Sequence, residues 1–140
     1  MKKTISGVHM FILMQKDLEK ALIFYEKLGA KKTLHIPSKW AEMEFFGIKL
    51  GLCPFEDATP RHTGIVLEVV DLENLYADLK KEGISFTGEP VEALHGTLVT
   101  FEDPSGNRLD LYQPNLDKLD KVLGTCCKKD ANQVTCCKKK

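Results

Sequence analysis

Apolar and polar positions alternate along this chain in a pattern that occurs twice. In Asp17-Leu-Glu-Lys-Ala-Leu-Ile-Phe-Tyr-Glu-Lys-Leu-Gly29, the residues Leu18, Ala21, Leu22 and Tyr25 return at the spacing of one helical face; Leu72, Leu75, Tyr76 and Leu79 do the same in the phrase from Asp71 to Gly83, each 54 positions later. Both phrases open on an aspartate suited to cap a helix, carry a glutamate (Glu19, Glu73) in the first turn where the helix dipole favours an anion, and close on a glycine that can turn left-handed. The flanking segments read as extended. Val8 to Gln15 is an apolar run that predicts a buried strand, and Lys31 to Ile36, Trp40 to Phe46 and Ile48 to Cys53 follow the first helix, the last two joined at Gly47 as a hairpin. After the second helix come Ile84 to Gly88, Thr97 to Glu102 and Arg108 to Gln113, the last pair joined by Asp103-Pro-Ser-Gly-Asn107. Each half is therefore strand, helix, three strands, with Pro54 to Arg61 as the connection.

The chain has 140 residues, 43% of them apolar, enough for one compact domain built from two half-size modules. Twenty basic and 20 acidic side chains balance, so nothing in the overall charge points to nucleic acid. No apolar run approaches the ~18 residues a membrane span needs, and Met1-Lys2-Lys3 is followed by polar residues in place of a signal-peptide core, which predicts a cytoplasmic protein. Of five cysteines, Cys126, Cys127, Cys136 and Cys137 crowd the C-terminus and Cys53 stands alone, so no disulfide framework holds the main domain.

Paired βαβββ modules, the strand-to-helix phrase at Asp17 with Gly29 behind it, and the turn Asp103 to Asn107 leading into Leu109-Asp110-Leu111 resemble the vicinal oxygen chelate superfamily, over roughly residues 5 to 115. That family includes glyoxalase I, extradiol dioxygenases, metal-dependent fosfomycin resistance enzymes and the metal-free bleomycin resistance proteins. The resemblance implies an α+β fold of two βαβββ modules, residues 5–54 and 62–114 within a domain 1–115. Each module forms a half-barrel, and the two enclose a central cavity. It also implies that a divalent metal such as Zn, Ni, Mn or Fe would be held by His, Gln or Glu from the first and last strand of each module.

Mapped through the repeat, the first-strand ligand positions fall on Met10 and Gly64. Aligning Gly47-Ile-Lys-Leu-Gly51-Leu with Gly106-Asn-Arg-Leu-Asp110-Leu puts the last-strand positions on Gly51 and Asp110. One donor of four survives, whereas catalytic metal sites ordinarily need three protein ligands. His9 and His62, one and two residues from the expected positions, are the alternative donors, each requiring a bulge or a shift to turn inward. Regular alternation would put Met10, Ile12 and Met14 on one wall, Gly64, Val66 and Glu68 on its counterpart, and Lys49, Gly51 and Cys53 opposite Arg108, Asp110 and Tyr112, an apolar pocket with a few polar groups. Glu68 is either a general base or a structural ion-pair partner of Arg108 or Lys49. Cys53 is a nucleophile or an inert thiol. Trp40 stacks on a ligand or fills an edge.

The expected function is accordingly that of a bleomycin-resistance-like binder of a small organic ligand, without cofactor and homodimeric as small members of the family are. Two alternatives stand beside it. One is a metal-dependent, glyoxalase-like lyase or dioxygenase using Asp110 with His9 or His62. The other is an interaction module acting through its tail. A short helix is expected over residues 116–124. The Cys/Lys repeat of residues 125–140 reads as a disordered extension, a soft-metal or disulfide site, or a lipidated membrane anchor.

Overall fold

The computed structural model describes residues 4–57 and 59–117. The tail repeat and most of the expected C-terminal helix lie outside them. Module one runs β1 (Phe11–Gln15), α1 (Leu18–Lys27), β2 (Lys31–Ile36), β3 (Trp40–Phe45) and β4 (Ile48–Pro54). Module two runs β5 (Arg61–Glu68), α2 (Leu72–Lys81), β6 (Ser85–Phe86), β7 (Val91–Ala93), β8 (Gly96–Glu102) and β9 (Asn107–Pro114). The fold is α+β, with one sheet ordered β1-β4-β3-β2 and the other β5-β9-β8-β6, β7 pairing with β8. Strand β7 was not foreseen, because its three residues after Pro90 carry no periodic signal. The first strand is also shorter than the apolar run suggested, and residues 4–10 precede it without regular structure.

The two helices are built alike because their caps are alike. Asp17 accepts the Lys20 amide at 3.1 Å and Asp71 the Asn74 amide at 3.2 Å. At the other end Ala30 N–H reaches back to the Tyr25 carbonyl at 2.9 Å and Ile84 N–H to the Leu79 carbonyl at 3.0 Å. Gly29 (φ +110°) and Gly83 (φ +93°) make the left-handed step that allows this closure. Leu18, Ala21, Leu22 and Tyr25 are buried, as are Leu72 and Leu79. Replacing either capping aspartate with alanine is expected to lower stability by about 0.5–2 kcal/mol in urea denaturation, with unchanged far-ultraviolet circular dichroism in the folded baseline.

Contacts gather the described residues into two units: the first combines module one with the start of β5 and the β8–β9 turn, and the second holds Gly64–Phe101 with the rest of β9. In the first, the core face of the sheet carries Leu13, Leu52 and Ala41 in one cross-strand row and Leu50 and Met43 in the next, all buried. Tyr25 of α1 packs edge-on against Phe45, ring centroids 5.9 Å apart. Its hydroxyl donates to Asp103 Oδ2 at 2.8 Å, as does Gln15 Nε2 at 2.8 Å, while the amides of Ser105 and Asn107 donate to Asp103 Oδ1. In the second unit Val99, Phe101, Leu109, Leu111, Leu72 and Leu79 are buried. Among the described residues no helix is long and apolar enough to cross a membrane.

Candidate functional site

The face of sheet one turned away from its core is where module one presents chemistry. Ladder register fixes who stands beside whom: Ile12 faces Gly51, Gly51 faces Glu42, and Glu42 faces Leu34; Met14 faces Cys53, and Trp40 faces Ile36. Since partners in a ladder share a face, Ile12, Met14, Gly51, Cys53, Trp40 and Glu42 lie together. Ile12 and Met14 on one edge strand and Leu34 and Ile36 on the other remain 37–48% exposed. Of the module-one residues expected to line a site, Ile12, Met14, Trp40, Gly51 and Cys53 share this surface.

At the centre of this surface Gly51 leaves a gap that its neighbours fill. A methyl group there would stand 2.8 Å from Trp40 Cη2, 3.0 Å from Trp40 Cζ2 and 3.0 Å from Met10 Sδ, so indole and thioether both crowd the place where a side chain would begin. The indole is held: its Nε1–H donates to Glu42 Oε2 at 2.9 Å, and Lys49 Nζ lies 3.8 Å from Glu42 Oε1. Glu42 was not among the residues expected from the sequence. It is the charged group standing directly across the ladder from Gly51.

In sheet two the polar residues of β9 are paired. Along β9, Arg108, Asp110 and Tyr112 alternate with the buried Asn107, Leu109 and Leu111. Arg108 Nε donates to Glu102 Oε2 at 2.7 Å, and the Thr100 hydroxyl donates to Asp110 Oδ1 at 2.5 Å. The Tyr112 hydroxyl donates to the His95 carbonyl at 3.0 Å and meets His95 Nδ1. On β5, His62, Gly64, Val66 and Glu68 share the exposed positions of an unbroken alternation, even though Gly64 adopts φ +79°. Glu68 is therefore exposed, not a buried carboxylate in need of a partner. The partners considered for it are engaged elsewhere, Arg108 with Glu102 and Lys49 with Glu42.

The residues present do not suit the divalent metal that the resemblance implies. Thioether and indole occupy the space at the Gly51 position, and Asp110 already accepts a hydroxyl proton. His9 is exposed in the segment before β1, and His62 is exposed near the start of β5. Among the described residues, no group of three or more His, Cys, Asp or Glu is placed to hold a metal ion. Cys53 is half-buried, with its thiol 3.7 Å from the Pro54 carbonyl.

Comparison with known proteins agrees with this architecture. Residues 7–111 match the Glyoxalase/Bleomycin resistance protein/Dioxygenase superfamily. The uncharacterized protein YetH of Bacillus subtilis is 30% identical over 117 residues, covering 76% of this chain and 95% of its own. TnmS3, an antibiotic binding protein from Streptomyces sp. CB03234, is 28% identical, with a TM-score of 0.64 over 81% of this chain and all of its own. The fosfomycin resistance protein FosX of Listeria monocytogenes superimposes with a TM-score of 0.68 over 82% of this chain and 98% of its own; at 20% identity that likeness is one of fold. With its duplicated strand–helix–strand modules and a profile match across three quarters of its length, the chain belongs to the Glyoxalase/Bleomycin resistance protein/Dioxygenase superfamily.

Proposed function

We propose that the protein binds a small organic molecule without a divalent metal, in the manner of the resistance proteins of its family that sequester a ligand rather than transform it. The observation that carries this reading is the closure of the Gly51 position by Trp40 and Met10, which puts a flat aromatic and a polarizable sulfur where a metal-binding member would place a carboxylate. A half-exposed apolar sheet face with one indole and one carboxylate offers the usual elements of small-molecule recognition: apolar area for affinity and a few polar groups for orientation. The 28% identity to an antibiotic binding protein supports the same reading. A cytoplasmic homodimer goes with it, and Cys53 acts in it as a lining group without catalytic duty.

The test pairs metal analysis with ligand titration. Protein purified without chelator is expected to carry far less than one equivalent of Zn, Mn, Ni or Fe. A panel of aromatic natural products, bleomycin included, is expected to yield a binder that quenches tryptophan emission. Measured by isothermal titration calorimetry, Trp40→Ala should weaken that binder about tenfold or more, equivalent to ~1.4 kcal/mol. A near-stoichiometric metal that disappears on Asp110→Ala would overturn the reading in favour of a metal-dependent enzyme.

A further inference from the structure

We propose that Gly51, Trp40 and Glu42 form an interlock that closes the module-one half of the family's metal position. In it Gly51 is the residue that admits the indole, and Glu42 is the positioning residue that holds it there. The proposal rests on the metal-free reading above and goes beyond it, since a lost ligand leaves an open place whereas this place is filled and fastened.

Three independent features of module one converge on the interlock. The first is steric. Trp40 reaches diagonally across the ladder, and its ring edge lies where a side chain on residue 51 would begin; a Cβ only 2.8 Å from Cη2 is closer than any carbon side chain tolerates. Glycine is thus required at 51 for as long as the indole keeps its place, and a glutamate there has nowhere to start. The second is polar. An indole N–H that is half-buried calls for an acceptor, and Glu42 supplies one at 2.9 Å from the same face of the same strand, two residues along. The third is the position of that carboxylate. Glu42 stands opposite Gly51 in the β3–β4 ladder, so module one retains a carboxylate beside the expected place, but one strand across. There it is occupied by an indole N–H on one oxygen and approached by the Lys49 ammonium on the other. A carboxylate so engaged is a poor donor to an incoming cation, which would have to displace both.

Trp40 is the sole tryptophan of the chain, so its emission reports the interlock directly. Gly51→Ala is expected to move the emission maximum to longer wavelength, to raise acrylamide quenching about twofold and to lower the melting temperature. In a Trp40→Ala background the same glycine substitution should cost at most half as many degrees, because the clash has been removed. Glu42→Ala should reproduce the emission change, and Glu42→Gln, whose amide oxygen still accepts, should restore most of the wild-type spectrum. Titration of the wild-type protein with Mn(II), Zn(II) or Ni(II) should leave emission unchanged. If Gly51→Ala fails to fold, recovery of a folded protein by Trp40→Ala/Gly51→Ala supports the interlock, and failure of both overturns it. Wild-type emission and quenching in Gly51→Ala, equal cost in the two backgrounds, or a stoichiometric metal that shifts Trp40 emission would also overturn it. A stoichiometric metal would overturn both readings; the other readouts use neither metal nor organic ligand, so through them the interlock can fail while the small-molecule reading stands, and the reverse.

Discussion

Asp103→Ala is expected to lower the unfolding free energy by about 3–5 kcal/mol, because hydrogen bonds to a charged group are worth about 1.5–3 kcal/mol each and several buried donors lose theirs at once, and to bring the melting temperature down by roughly 10 °C or more. The carboxylate is 5% exposed and accepts five hydrogen bonds: from Gln15 Nε2, Tyr25 Oη and Asn107 Nδ2 on one oxygen, and from the amides of Ser105 and Asn107 on the other. Truncation leaves all five donors without their acceptor. Each buried donor so abandoned costs about 1–3 kcal/mol in isolation; relaxation of the exposed-side turn and entry of water keep the total below their sum. Asp103→Asn tests the assignment more finely. Its amide oxygen can serve one side of the network while its NH2 confronts donors on the other, so its loss should fall between wild type and alanine. Urea denaturation followed by tryptophan emission measures both, and a loss under about 1 kcal/mol for alanine would show that the carboxylate is not what holds the turn.

The second large effect is alkaline lability centred on Tyr25. Burial first, and then the neighbouring Asp103 charge and its hydrogen bond, push the phenol well above its ordinary value of 10.0. In the unfolded chain the phenol ionises near that ordinary value, while in the folded protein it keeps its proton to higher pH. The unfolded state therefore binds fewer protons above about pH 10, and stability falls as pH rises, by up to about 1.4 kcal/mol per pH unit until the folded pKa is reached. Below the unfolded pKa the contribution is fully present. Tyr25→Phe loses one hydrogen bond, a cost of about 0.5–1.5 kcal/mol at neutral pH, but should show a flatter decline between about pH 10 and 12. Parallel declines in the two proteins would rule out Tyr25 as the source.

Much of the fold was legible because the same local rules are written twice. Asp17 and Asp71, Gly29 and Gly83, and the two apolar faces each state a helix and its ends without help from tertiary structure, and a copy at constant offset makes coincidence a poor explanation. The strands were read less well at their ends, since strand β1 starts where pairing with β4 starts, and pairing is not a local property. The shared face of Ile12, Met14, Gly51 and Cys53 was legible through alternation, since it follows from a period of two. Glu42 was within reach but missed. The two-residue turn at Phe46 and Gly47, both with positive φ, fixes the hairpin register, and counting outward from Phe45 opposite Ile48 puts Glu42 opposite Gly51. A lone carboxylate in a strand carries no local signal of the indole N–H that it accepts. Glu102 and Thr100 escaped for a different reason. Their partners Arg108 and Asp110 lie across a longer turn whose register depends on how Asp103 folds the loop.

The duplicated sequence invites the thought that either half could be cut free, and the β8–β9 turn argues against it. Ser105 Oγ accepts the Lys16 amide, Asn107 Nδ2 donates to the Met14 carbonyl, and Asp103 satisfies Gln15 and Tyr25, so the buried polar groups of the first copy are answered by a segment of the second. A fragment ending at the connection would carry a complete hydrophobic pattern and an incomplete set of hydrogen bonds. A split or permuted gene would then yield two soluble pieces only if residues 102–108 travelled with the first copy, making the boundary of inheritance in this chain different from the boundary of cooperative structure.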